Sequence, residues 1–107
     1  MSLKVHYGIY QNSRAYCYLS ETGKVYTWGN NDYGGYSLHL AKDISENIVK
    51  ILTGERGFCA LRNDGKVFTW GTDTRDCYNI KEENANYIDI FSNDDGFGGL
   101  KNNGEQS

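Results

Sequence analysis

Apolar residues occur along this chain in short runs separated by polar clusters that carry glycine, a pattern of strands and turns rather than helices. Val49 and Ile51, like Tyr7 and Ile9, stand two apart, which predicts a half-buried first strand with these side chains on one pleated face. Phe58-Cys59-Ala60-Leu61 is continuously apolar and small in its middle, as expected of a strand covered on both faces. Glu21-Thr22-Gly23-Lys24, Asn63-Asp64-Gly65-Lys66 and Asn102-Asn103-Gly104-Glu105 each put glycine where a two-residue hairpin needs a positive φ. After the first two turns comes a β-branched and aromatic strand that closes on Trp-Gly, and burial of its indole is expected to contribute about 2 to 3 kcal/mol in each case. Ser37 to Asn47 and Asp73 to Asn86 are the least regular stretches and carry most of the charge. They read as connections with room for one strand each, and Leu38, Leu40, Ala41 and Ile44 allow a short helical turn in the first.

These elements repeat. Gly23-Lys24-Val25-Tyr26-Thr27-Trp28-Gly29 returns as Gly65-Lys66-Val67-Phe68-Thr69-Trp70-Gly71, an offset of 70 − 28 = 42 residues. A third copy opens with Tyr87-Ile88-Asp89-Ile90-Phe91 and runs to Gly104, offset by 104 − 65 = 39 residues from the second. Glu105-Gln106-Ser107 then stand where its tryptophan strand would follow. The chain of 107 residues is the size of one domain, divided as repeat one 5–46, repeat two 47–85 and partial repeat three 86–107. Units of this period bury their apolar faces against their neighbours.

The segment from Gly57 to Gly71, with its Ala60-Leu61-Arg62-Asn63-Asp64-Gly65-Lys66-Val67-Phe68-Thr69-Trp70-Gly71, and the copy from Ala15 to Gly35, which retains the trailing Asn30-Asn31-Asp32-Tyr33-Gly34-Gly35, resemble the repeat of the regulator of chromosome condensation family. The short period is most similar to bacterial members, including the propeller-type beta-lactamase inhibitor proteins. The resemblance implies an all-β partial β-propeller of about two and a half repeats. Its antiparallel blades would be four-stranded and draw strands from consecutive repeats. It also implies open sheet edges, at a first strand near Val5-His6-Tyr7 and a last near Leu100, that invite association.

Nine tyrosines, two tryptophans and thirteen glycines with no proline agree with aromatic strands and glycine turns. Eleven basic against fourteen acidic residues leave a net charge of −3 and no basic cluster to neutralise a row of phosphates, so nucleic acid is not an expected partner. No run approaches the roughly 20 apolar residues that span a bilayer, and Met1 to Tyr7 lacks the apolar core of a signal peptide, which leaves a cytoplasmic location as the expectation and no membrane partner. Cys17 and Cys59 share one repeat position, too far apart for a disulfide, and read as small core residues, whereas Cys77 falls in the variable part of repeat two. His6 and His39 have no ligand-type neighbours at metal spacing. Asn93-Asp94-Asp95-Gly96 lacks the glutamate of a calcium loop, and Gly96-Phe97-Gly98-Gly99 fails the dinucleotide fingerprint. No catalytic motif, cofactor or metal site is expected, and the chain does not read as an enzyme.

Binding is the remaining route to function. The loop between the first and second strands of each repeat differs while the strands stay similar: Gln11-Asn12-Ser13-Arg14, Thr53-Gly54-Glu55-Arg56 and Ser92-Asn93-Asp94-Asp95. A fixed scaffold with varied loops is how recognition surfaces are built. By resemblance to the propeller-type inhibitors, Asn12, Ser13, Arg14, Glu55, Arg56, Asn93, Asp94 and Asp95 would share one rim and contact a protein partner, with Arg14 and Arg56 as anchors. The turn after each Trp-Gly, with Asn30, Asp32 and Tyr33 and then Asp73, Arg75 and Asp76, offers a second surface on which Tyr33 stands out. The reading is a non-enzymatic inhibitor or immunity-type protein of bacterial origin, acting by surface complementarity on a partner that the acidic balance suggests is basic. The alternative is a propeller fragment that assembles with copies of itself through its open edges into a structural or scaffold oligomer.

Overall fold

The computed structural model of the chain describes residues 4–71, 86–93 and 96–101. Each complete repeat folds into its own three-stranded antiparallel meander. In the first, β1 (Gly8–Gln11) pairs with β2 (Ala15–Leu19), which pairs with β3 (Val25–Gly29). In the second, β4 (Ile48–Gly54), β5 (Gly57–Arg62) and β6 (Val67–Gly71) follow the same order. The third copy contributes β7 (Tyr87–Asn93) and β8 (Gly96–Lys101). Among the described residues the structure is all-β, with three antiparallel sheets, none of them closed, consistent with a partial propeller. The four-stranded blades implied by resemblance are not what the described residues form: every sheet draws its strands from one repeat, because consecutive strands are joined by tight turns that make local pairing the shortest route.

The turns are tighter in one respect and longer in another than the sequence predicts. Ser20 N–H donates to Lys24 O at 2.9 Å and Gly23 N–H to Ser20 O at 3.0 Å, so three residues, not two, lie inside the hairpin. Arg62, Gly65 and Lys66 repeat this pattern at 2.8 and 2.9 Å. Gly23 takes φ 85°, and a Cβ there would meet the Asn47 backbone nitrogen at 2.8 Å. A turn closed by a left-handed glycine is the common three-residue solution. The third turn, at Asn102 to Glu105, lies outside the described residues.

Each repeat is stitched to the next at this turn. Ile48 N–H donates to Gly23 O and Tyr87 N–H to Gly65 O, both at 3.0 Å. The residue just before each donor, Asn47 or Asn86, is left-handed, with φ of 67° and 76°. Asparagine tolerates that conformation better than other residues bearing a Cβ. Between the first stitch and β3 the chain makes 3₁₀ turns at Asn31–Tyr33 and Leu38–Leu40. The short helical turn predicted there is present, but the strand allowed for is not: Ile44 instead accepts a single hydrogen bond from Val25 N–H at 3.0 Å and buries its side chain.

Two cores result. One lies between the first and second sheets and contains Leu19, Val25, Ile44, Ile48, Ile51, Phe58, Phe68 and Trp70. The other lies between the second and third sheets, with Val49, Cys59, Leu61, Val67, Tyr87, Ile90 and Phe97. The middle sheet is thus covered on both faces, and Phe58, Cys59, Ala60 and Leu61 are all buried as the sequence predicts. Cys17 and Cys59 are both fully buried, and burial pushes the Cys17 thiol up to about 12, which keeps it protonated and inert.

Three expectations about facing fail. Val49 and Ile51 do not share a face: a register shift between Ile48 and Lys50 sends Val49 to the second core and Ile51 to the first. A bulge inserts one residue and reverses the alternation. Tyr7 and Ile9 do not form the buried side of their strand but stand exposed, while Tyr10 packs toward the first core. Trp28 is 45% exposed although its equivalent, Trp70, is only 5% exposed, because Trp70 lies on the first sheet and no preceding sheet stands in front of Trp28 among the described residues. The expected first strand at Val5 to Tyr7 is also displaced: pairing begins at Gly8. Val5 packs against both cores, and His6 N–H donates to Val49 O at 2.8 Å, so this segment leaves its own sheet to reach β4.

Candidate functional site

All tips of the β1–β2, β4–β5 and β7–β8 hairpins fall at one end of their sheets, and the turn after β3 joins them because Gly29 pairs with Ala15. In the first repeat the two surfaces distinguished in the sequence therefore adjoin along one rim.

Asn12 organises its first part. Its side-chain oxygen accepts from Arg14 N–H at 3.0 Å and Ala15 N–H at 2.9 Å, closing the hairpin as an Asx turn. Its amide nitrogen donates to Tyr33 O at 2.7 Å, which ties the hairpin to the turn 21 residues away. Asn12, half-buried, thus holds the hairpin and the turn together. Asn30 shapes that turn from the other side. Its side-chain oxygen accepts from Asp32 N–H at 2.9 Å, and its carbonyl accepts from Tyr33 N–H at 3.1 Å and Gly35 N–H at 2.9 Å.

Beneath the turn lies Gly34, with φ 104°, whose carbonyl accepts the Trp70 indole N–H at 3.1 Å. A Cβ on Gly34 would lie 2.6 Å from the Phe58 ring. Phe58 and Trp70 themselves are tilted rings with centroids 5.9 Å apart. The second repeat's core therefore props up the first repeat's turn.

Tyr33 sits on this support, half-buried against the first core. Two guanidinium groups lie over its ring, Arg14 at 5.5 Å from the centroid and Arg56 at 5.7 Å. Arg14 and Arg56 are equivalent positions of consecutive repeats, so the ring stands where two copies of the same hairpin corner converge. Each such contact is worth about 0.5 to 1 kcal/mol at an exposed site. Both arginines, Ser13 and Glu55 are exposed.

Further along the rim, Glu55 faces Asn93 and Ser92 across a polar cleft of about 420 Å³ that Thr53, Gly54, Gly96 and Phe97 complete. Asn93 pairs with Gly96 at the base of the third hairpin. Asp94 and Asp95 lie outside the described residues, as do Asp73, Arg75, Asp76 and Cys77. Among the described residues no group of three or more His, Cys, Asp or Glu side chains could hold a metal, and no helix is long and apolar enough to cross a membrane.

Residues 9–34, which span β1 to the Tyr33 turn, match the family model for the regulator of chromosome condensation (RCC1) repeat. By that match this segment is similar to an RCC1-type repeat. No curated protein matches the chain. RCC1-type repeats are in general a non-catalytic protein-interaction fold, and the matched segment ends on the turn that presents Tyr33.

Two features escaped the sequence. Gly34 is the seat of the inter-repeat indole bond, and its only signal was a glycine run after the tryptophan. The outer face of the first sheet is lined by Tyr16, Tyr18, Tyr26 and Trp28, all exposed. Its signal was the replacement of Phe58, Ala60 and Phe68 by tyrosine at the matching positions of repeat one.

Proposed function

We propose that the chain is a protein-binding module that masks its target by surface complementarity, as an inhibitor or immunity-type protein does. The observation that carries this reading is Tyr33 presented between Arg14 and Arg56 on a rim held by the Asn12 and Trp70 hydrogen bonds. Tyrosine and arginine concentrate binding energy at interfaces, and a ring held in place by its own turn loses little entropy when covered. Ser13, Glu55 and Asn93 extend the surface on either side, and Asn12 holds it in shape. The net charge of −3 favours a basic partner in long-range association, with the two arginines meeting acidic or carbonyl groups at close range. An oligomeric scaffold is the second reading, favoured by the exposed aromatic face of the first sheet.

Affinity capture from the source cell with the wild-type chain and with Tyr33→Ala, Arg14→Ala and Arg56→Ala tests the rim. Tyr33→Ala is expected to weaken the recovered complex by about 2 kcal/mol or more, roughly 30-fold. Undiminished recovery of every partner by all three variants would remove the rim from the interface.

A further inference from the structure

The exposed face of the first sheet is an ordered aromatic surface. Tyr16 pairs with Trp28 across β2 and β3 with ring centroids 5.4 Å apart and planes 15° apart, and Tyr18 pairs with Tyr26 at 5.9 Å and 26°. Ile9 extends it on β1. In the second sheet the residues at the same repeat positions are Ile51, Phe58, Ala60, Phe68 and Trp70, all at most 5% exposed. What covers them is the opposite face of the first sheet, through Ala15, Cys17, Leu19 and Val25. The molecule thus displays on one sheet a face whose counterpart it covers on the next.

It also displays the matching cover. The second sheet packs on the third through Val49, Cys59, Leu61 and Val67, with Leu52 beside them. At the positions of Val49, Leu52, Cys59 and Leu61 the third sheet has Ile88, Phe91, Gly98 and Leu100; Ile88 and Phe91 are half exposed, the Phe91 ring also meeting Lys50 Nζ 5.2 Å from its centroid. Among the described residues the first sheet presents the docking face and the third presents a surface equivalent to the one that such a face docks on within the molecule.

We propose that the Ile9, Tyr16, Tyr18, Tyr26 and Trp28 face is a docking surface for the Ile88, Phe91 and Leu100 face of a second copy, so that chains associate head to tail. The contact repeats between molecules the packing that already joins sheet to sheet within one. It is heterologous, each copy using a different surface, which distinguishes it from a two-fold dimer. It uses sheet faces rather than open strand edges and leaves the Arg14, Tyr33 and Arg56 rim uncovered.

Sedimentation velocity on the chain at micromolar concentration tests it. The wild type is expected to form species of at least twice the monomer mass. Trp28→Glu and Ile88→Glu, both at exposed positions, are each expected to be monomeric alone. Mixed in equal amounts they are expected to recover a two-chain complex, since each retains the face that the other has lost. Tyr16→Lys and Phe91→Glu supply a second pair should either variant fail to give the wild-type circular dichroism spectrum. Arg14→Ala is expected to assemble like the wild type, which keeps this result separate from that of the rim. A wild-type chain that stays monomeric, assembly that survives Ile88→Glu while Trp28→Glu abolishes it, or a mixture that stays monomeric would each overturn the proposal.

Discussion

Trp28 and Trp70 occupy the same position of the same motif, yet their surroundings make them different residues energetically. Trp70 fills the seam between two sheets and donates its indole N–H to Gly34 O, while Trp28 stacks on Tyr16 at the surface. Trp70→Ala is expected to cost about 3 to 5 kcal/mol, against about 1 kcal/mol or less for Trp28→Ala. Urea unfolding midpoints of the two variants, measured at a concentration where the chain is monomeric, check the difference. The motif told that both positions hold an indole at the end of a strand. It could not tell which is buried, because burial is a property of the neighbouring sheet and not of the seven residues themselves. The same holds for Tyr33, whose two arginines lie 19 residues before and 23 after it and meet only because consecutive hairpins end side by side (33 − 14 = 19; 56 − 33 = 23).

Strands and hairpins were legible because their causes are local. Alternation, a glycine at the turn and a β-branched run decide pairing within a few residues, and the meanders follow. Facing was not legible where a bulge intervened: Val49 and Ile51 are two apart in sequence and in different cores. The bulge recurs between Tyr87 and Asp89, where Tyr87 and Ile90, three apart, share a core. Each bulged strand begins just after a left-handed asparagine, so the backbone at Asn47 fixes how the second repeat enters its sheet. Asn47→Val is expected to destabilise by about 1 to 2 kcal/mol, while Asn47→Gly, free of a Cβ, stays near the wild type. Thermal unfolding of the two variants provides the check, and equal midpoints would show that the φ of Asn47 is not a constraint.

Across the whole molecule, charge adds modestly to what the two cores provide. Lys50 Nζ bridges from the second sheet to Asp89 Oδ1 at 2.7 Å and to Ile90 O at 2.9 Å. Burial works against the charged form of Asp89, but the Lys50 ammonium and the Ile90 N–H outweigh it and hold the carboxyl below its usual 3.8. The Arg62 guanidinium does the same for Asp64, at 3.0 and 2.8 Å. A carboxyl whose folded value is lowered adds stability that is present above its usual value and is lost as pH falls through the lowered one. Stability is therefore expected to drop as pH falls below about 4, and Asp64→Asn with Asp89→Asn to flatten that slope in urea titrations at successive pH. Both carboxylates are more than one-third exposed, so the slope is expected to be shallow and to shrink in salt. The backbone bonds from Ile48 to Gly23 and from Tyr87 to Gly65 have a different consequence. The joint between repeats is the same at each step and lies beside the near-identical segments Gly23 to Gly29 and Gly65 to Gly71. Removing or duplicating the 42 residues between equivalent points of those two segments is therefore expected to preserve this kind of joint, which makes the array's length adjustable by whole repeats.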